Sequence, residues 1–176
     1  MLAVLFVDME TETQIEALKD VPIARVAAGS LHSLFMTETG NAIYACGCTK
    51  NGATGLPKDV IKEHYSRHKV QFAIETPVPV AFPSNGPPLD DIGRFVDISA
   101  GEEHSFAVTS NGKLYAWGYG EYRQVGNRAS KEAEPQPKLI SDEWFEEKGE
   151  EVFVHHAAGG SQHSLVLASR FKKTAN

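Results

Sequence analysis

The chain has 176 residues, of which 41% are hydrophobic, so it holds enough apolar material for one core. Its formal net charge of −6 gives none of the basic surface by which nucleic-acid-binding modules are recognised. The longest apolar run, residues 1–7, is far too short to span a bilayer.

The chain holds two cysteines, Cys46 and Cys48. They stand two positions apart, where a disulfide would be strained, and two cysteines do not make the framework of a secreted domain. We therefore expect reduced thiols in the cytosol or nucleus.

The chain begins with residues 1–22, which we interpret as the tail of a preceding repeat. Within it, residues 2–8 have the apolar pattern of a buried strand. Residues 11–18 stand where later copies carry the short proline-containing strands 77–80 and 135–139. One helical turn is the alternative for this segment, because Glu, Ala and Leu favour helix.

Residues 23–94 form the first full repeat, in which a strand and an Ala-Gly break precede His32 and Ser33. Its hairpin has one residue more than that of the next copy, so we expect a longer or bulged loop. Cys46 stands where the next copy has Trp117, a large loss of apolar area, and so this repeat is expected to be the less regular one.

An insertion at residues 58–70 predicts a solvated helix or an ordered loop. His64 and His68 are four apart and would share one helical face, from which both could ligate zinc. A structural zinc site normally has four protein ligands and no third ligand is evident, so the helix without metal is the favoured interpretation.

Residues 95–150 form the second full repeat, with His104 and Ser105 after its Ala-Gly break. Asn111-Gly112 predicts a hairpin tip of type I′, in which both central residues have positive φ. The return strand ends in Trp117, whose place in an apolar strand predicts burial between repeats. The acidic loop at residues 141–151 is either a solvated loop or a contact surface for a basic partner.

Residues 151–176 form a partial closing repeat with His163 and Ser164. No return strand follows Ser169, so the third copy stops after its second strand. The basic end of the chain, from residue 171 onward, is expected to be frayed.

The motif Ala-Gly-x-x-His-Ser, or a close variant, thus occurs three times, followed in the second copy by Asn-Gly-x-Leu-Tyr-Ala-Trp-Gly and Gln-Val-Gly. This pattern covers nearly the whole chain and resembles the repeat of the regulator of chromosome condensation family. The resemblance implies an all-β fold with antiparallel sheets, a partial β-propeller of about three blades from a seven-bladed ring. The order of the last two copies resembles the C-terminal portion of the family's exchange factors for the small GTPase Ran.

The three histidines of the motif allow two interpretations. By the resemblance, His32 and His163 take positions that face the GTPase, and His104 is a weaker third candidate for partner binding. From the residues alone, a feature present in every copy meets a need of every copy, such as satisfying buried backbone groups. Neighbours in a strand point to opposite faces, so no histidine is expected to activate the serine that follows it.

The resemblance implies guanine-nucleotide exchange on Ran, without covalent chemistry, cofactor or metal. The alternative function is a non-catalytic propeller module for protein–protein interaction. The implied location is the nucleus, with the cytoplasm as the alternative, and histones or chromatin would be contacted through parts absent from this chain. No membrane partner is expected. Open blades leave strand edges and apolar faces uncovered, which predicts self-association.

Overall fold

The structure is a computed structural model that describes residues 4–8, 11–69, 72–82, 93–127, 132–140 and 150–172. It begins with a hairpin of two antiparallel strands, β1 (Val4–Asp8) and β2 (Thr11–Gln14). A short 3-10 helix, Glu16–Leu18, follows. Residues 11–18 therefore contain both predicted alternatives in succession, a strand and then one helical turn.

The first blade is a four-stranded antiparallel sheet in chain order. Its strands are β3 (Ile23–Ala28), β4 (His32–Thr37), β5 (Ile43–Cys48) and β6 (Ala73–Pro79). Between β5 and β6 the chain forms the helix α1 (Lys58–His68), as the insertion predicted. Both cysteines are free thiols.

The second blade repeats this architecture, and the described residues of the third blade form the first two strands. The second comprises β7 (Phe95–Ala100), β8 (His104–Thr109), β9 (Leu114–Gly118) and β10 (Glu134–Leu139). The third is a two-stranded sheet of β11 (Glu150–Gly159) and β12 (Ser164–Lys172). The predicted all-β fold with antiparallel sheets is confirmed. The frayed end was placed too early, because residues 171 and 172 still pair in β12.

The core lies between the blades. Successive side chains of β8 and β9 point to opposite faces of their sheet, so these two strands contribute to two separate parts of the core. Ala107, Tyr115 and Trp117 pack against the first blade, next to Leu34 and Leu56. The alternate residues of the same strands face the third blade. They are Phe106, Val108, Leu114 and Ala116, which meet Val154 and Ala157 there. These strands are apolar on both faces because each face covers a neighbouring blade.

Trp117 is the largest side chain that this packing buries completely, with 0% of its surface exposed. Its indole Nε1 donates to the carbonyl oxygen of Ala53 at 2.9 Å. A Cβ on Gly55 would lie 2.7 Å from the same nitrogen, so the first blade presents backbone and no side chain at this point. The predicted burial of Trp117 between blades is confirmed.

The Asn111-Gly112 pair lies at a hairpin tip, as predicted, but the type I′ turn was wrong. Gly112 has φ +73°, whereas Asn111 is not among the described residues with positive φ. The Gly112 N–H donates to Thr109 O at 2.9 Å and the Thr109 N–H to Lys113 O at 2.9 Å, a loop with one bulged glycine. In the first blade the Thr37 N–H reaches Ala42 O at 3.1 Å, which confirms the longer loop.

Some expectations fall outside the described residues. They include most of the acidic loop, residues 141–149, of which only Glu150 and Glu151 are described, within β11. Among the described residues no helix has the length and apolar character needed to cross a membrane.

Replacing Trp117 with Ala is expected to lower the free energy of unfolding by ~3–5 kcal/mol, the usual cost of removing a large buried aromatic side chain. Trp117→Phe is the matched control, because it keeps much of the apolar volume and loses the bond to Ala53. Urea denaturation of the three proteins measures both effects. A loss below ~1 kcal/mol for Trp117→Ala would contradict the burial of this side chain.

Candidate partner-binding site and blade junctions

Each Ala-Gly-x-x-His-Ser motif makes the turn between the first and second strands of its blade. The Gly29 N–H donates to His32 O at 2.8 Å, and Gly101 with His104 and Gly160 with His163 repeat the bond at 2.8 and 2.9 Å. A Cβ at Gly29 would lie 2.2 Å from Cε1 of the His32 ring. The motif needs glycine because the histidine ring lies directly over it.

His32 reaches across to the second blade. Its Nε2 lies 2.8 Å from the hydroxyl of Ser105. That hydroxyl donates its proton to the carbonyl oxygen of Ala53 at 2.8 Å. Nε2 of His32 must then carry the proton and donate to Ser105. One chain of hydrogen bonds therefore joins the two blades.

The junction between the second and third blades repeats this chain of bonds. His104 Nε2 lies 3.0 Å from Ser164 Oγ, and that hydroxyl donates to Gln124 O at 2.8 Å. These pairs were not predicted, because the serine next to each histidine was the one considered as its partner. The prediction that neighbouring residues point to opposite faces is correct, because His104 faces the third blade while Ser105 faces the first. The sequence did contain a signal for these pairs: in all three repeats His is followed directly by Ser, and neighbouring blades must pack against one another.

Both junction histidines are buried, with 4% of His32 and 0% of His104 exposed. Burial is the main cause that lowers the pKa of each ring from 6.5 to about 4; for His104 the neighbouring His32 and His163 add to the lowering and Glu102 opposes it. The rings are therefore neutral at physiological pH. Each serine hydroxyl donates its hydrogen bond to a carbonyl oxygen and not to histidine. A nucleophilic serine would donate to its histidine base, so these pairs do not have that arrangement.

His163 occupies the same motif position and is exposed. The described residues contain no blade after the third, so nothing supplies a serine to cover its ring. Partner binding stays a prediction for His32, His104 and His163. In the described part of the chain, His163 is exposed to solvent, whereas His32 and His104 are buried.

The motif turns of the three blades form a rim that carries acidic and aromatic side chains. A cleft of about 280 Å³ is lined by Glu102, Glu103, Tyr119 and Tyr122, among others. The Asn51 side chain donates to Glu103 at 2.9 Å and Ser161 donates to Glu102, so two other blades hold these carboxylates in place. Such a rim suits contact with a basic protein surface.

Charged and polar side chains also connect the first strands of the three blades. Asp97 of β7 accepts a hydrogen bond from His156 of β11, and Arg25 of β3 lies 3.6 Å from the same carboxylate. Asp97 thus links its blade to both neighbours.

The described residues contain no group of three or more side chains able to hold a metal ion. His64 and His68 lie together on α1 with ring centroids 4.4 Å apart, as their spacing predicted.

Two family models described as "Regulator of chromosome condensation (RCC1) repeat" match the chain. One matches residues 41–108 and 111–167, and the other matches residues 23–53 and 95–124.

Similar proteins carry the same repeat. Over 111 residues the chain is 36% identical to guanine nucleotide exchange factor SRM1 of Saccharomyces cerevisiae, covering 62% of this chain and 21% of that protein. RCC1 domain-containing protein 1 of Homo sapiens is 33% identical over 132 residues, covering 64% and 35% respectively.

A solved structure of Prp20p from Saccharomyces cerevisiae, a protein studied for its binding to Gsp1p and histones, superposes with a TM-score of 0.72 at 25% identity. The match covers 92% of this chain and 34% of Prp20p. The chain thus spans about a third or less of the length of these relatives.

The buried histidines predict that stability falls in mild acid. The unfolded chain takes up protons below pH 6.5, whereas the folded rings resist protonation down to about pH 4. The contribution of the two neutral rings to the free energy of unfolding is therefore fully present above pH 6.5 and is lost as the pH falls from 6.5 to 4. At pH 5 the loss is about 2 kcal/mol per histidine. Urea denaturation at pH 7, 6 and 5 measures the effect.

The control is the double variant His32→Gln, His104→Gln, whose amide nitrogens can take the place of Nε2 as donors. Its stability is expected to change much less between pH 7 and 5. Equal pH dependence in both proteins would show that the two rings are not held neutral in the fold.

Proposed function

The chain belongs to the regulator of chromosome condensation (RCC1) repeat family, and on that premise we propose that it is the C-terminal propeller portion of a guanine-nucleotide exchange factor for the small GTPase Ran. The observation that carries this proposal is its 36% identity to the exchange factor SRM1, over 62% of the chain. The likeness to Prp20p, with its binding to Gsp1p and histones, supports a nuclear protein that binds a partner.

Exchange of this kind requires a binding surface and no reacting side chain. A factor that binds the nucleotide-free GTPase more tightly than the loaded one must weaken nucleotide binding by the same factor. The histidine–serine pairs agree with such a role, because each serine hydroxyl is committed to a backbone carbonyl. No bond is made or broken, and the nucleotide leaves with both phosphates intact.

We assign different parts to the three histidines. His163, with Glu102 and Glu103 on the same rim, contacts the GTPase directly. His32 and His104 act from within the junctions, where their bonds to Ser105 and Ser164 hold the motif turns in fixed positions. A rim that is already ordered binds its partner at a lower cost in entropy.

The second candidate is a propeller module that binds proteins without promoting exchange, in the nucleus or the cytoplasm. The observation in its favour is that the repeat also occurs in RCC1 domain-containing protein 1, whose name states no exchange activity. Fold alone does not separate the two candidates.

Release of fluorescent GDP from Ran, with and without the purified chain, separates them. We expect the chain to accelerate release and to bind nucleotide-free Ran more tightly than GDP-bound Ran. Equal binding of both forms without faster release would support the binding module, and no binding to either form would contradict the choice of Ran.

Removing the exposed ring by His163→Ala is expected to weaken binding to Ran about fivefold, the effect of losing ~1 kcal/mol, with no change in the melting temperature. His32→Ala is expected to lower the melting temperature, because it leaves Ser105 without its donor. Isothermal titration and thermal melts measure the two effects.

The rim carboxylates supply a further comparison. Glu102→Gln with Glu103→Gln should slow association with Ran severalfold at low salt, and less at high salt. Glu38→Gln with Glu75→Gln is the matched control, since it removes the same charge from exposed positions that do not line the cleft. Equal slowing by both pairs would show that net charge, and not the rim, sets the rate.

A further inference from the structure

The cleft on the rim is built from residues of all three blades. Asn51 comes from the first blade, Glu103 and Tyr122 from the second, and Gln162 from the third. Its volume of about 280 Å³ is below the roughly 300–1,000 Å³ that is usual for pockets that bind whole small molecules. A cleft of this size suits one long side chain of a bound protein, which would contact three blades at once.

Two tyrosine rings form an aromatic wall of this cleft. The ring centroids of Tyr119 and Tyr122 are 6.3 Å apart and the ring planes are 70° from each other, which makes an edge-to-face pair. The Tyr119 hydroxyl donates to Glu121, and this bond holds the first ring in place. The Tyr122 side chain is 55% exposed and open to a bound group. Because the face of an aromatic ring carries partial negative charge, this wall attracts a cation.

The carboxylates of Glu102 and Glu103 line the same cleft, and their hydrogen-bond donors are neutral. The Asn51 side chain donates to Glu103 at 2.9 Å, and the Ser161 hydroxyl donates to Glu102. Among the described residues neither carboxylate forms an ion pair, and the exposed Lys50 at the edge of the cleft forms none with them. Since a carboxylate has about four acceptor positions, both can accept further donors. The cleft thus holds two negative charges in fixed positions and leaves them available to a cation.

The combination of a ring face with two carboxylates distinguishes among the cations that a protein can offer. A trimethylated lysine would satisfy the ring but has no N–H group to donate to the carboxylates. An unmodified lysine has three donors on one nitrogen and no plane that can stack on an aromatic ring. Arginine has five donors in a flat fork, and that plane stacks on aromatic faces. One guanidinium can therefore stack on Tyr122 and donate to Glu102 and Glu103 at the same time.

We propose that this cleft binds a single arginine side chain of the protein that docks on the rim, with Tyr122 as the residue that selects arginine over lysine. The inference rests on the proposed function in one respect, since the arginine then belongs to the GTPase. The preference for arginine is a property of this chain and can be measured without the GTPase. Because the walls of the cleft come from three blades, the bound arginine also sets the orientation of the partner on the rim.

Titration of the isotope-labelled chain with short peptides, followed by nuclear magnetic resonance, tests this preference directly. The probes are capped glycine pentapeptides with arginine, lysine or citrulline in the middle, where citrulline has the shape of arginine without its charge. We expect the arginine peptide to shift the backbone amide signals of Tyr119, Tyr122 and Gln162 at millimolar concentration. It should bind about fivefold more tightly than the lysine peptide, because only the guanidinium stacks on the ring, and the citrulline peptide should not bind. No shift by the arginine peptide, tighter binding of the lysine peptide, or equal binding of the citrulline peptide would each contradict the proposal.

Two variants of the cleft locate the binding site of the arginine peptide. Tyr122→Leu keeps an apolar side chain and removes the aromatic face, and it is expected to weaken binding about tenfold and to abolish the preference over lysine. Glu103→Gln keeps the shape and removes one charge, and it is expected to weaken both cationic peptides by a similar factor. Tyr65→Leu is the matched control, because it makes the same exchange at an exposed position of α1 that does not line the cleft. Melting curves establish that all three variants are folded.

Binding of nucleotide-free Ran to the same variants separates this inference from the choice of partner. We expect Tyr122→Leu to weaken the complex about tenfold, as it weakens the peptide, and Tyr65→Leu to leave it unchanged. Binding of the arginine peptide without any binding of Ran would support the cleft and contradict Ran as the partner. Binding of Ran that neither Tyr122→Leu nor Glu103→Gln weakens would overturn the inference, while the proposed function would stand.

Discussion

The carbonyl oxygen of Ala53 is the acceptor on which the junction between the first two blades depends. It receives the Trp117 indole and the Ser105 hydroxyl, and Ser105 in turn receives His32. A buried polar group without a partner costs ~1–3 kcal/mol, so each member constrains the others. The Gly, His, Ser and Trp of the repeat are therefore best understood as one interface between blades, and not as features of a single blade.

The sequence predicted those features of the fold that depend on neighbouring residues. Alternation of apolar residues and the Ala-Gly breaks are local, and they predicted the strands and the positions of the hairpin tips. The histidine–serine pairs join residues 73 and 60 positions apart, which no rule about neighbouring residues can find. The turn at Gly112 differed because its loop has more than two residues, and one glycine in the left-handed region is sufficient.

The same motif also produces two environments that the sequence cannot separate. His32 and His104 are buried and neutral, while His163 is exposed. In the described part of the chain, a further blade packs against His32 and His104, and none packs against His163. The motif alone does not encode this difference, and partner contact by His163 stays a prediction.

The blades are tied to one another at two levels. Trp117 and its acceptor fix the first junction within the apolar core, whereas Asp97 joins Arg25 and His156 on the first strands of all three blades. Links at two places in the stack oppose rotation of one blade against the next, which a single row of contacts would permit. The motif turns that form the rim therefore keep their mutual positions. The partner surface that we propose requires such fixed positions, because its proposed contacts Glu103 and His163 lie in the motif turns of different blades.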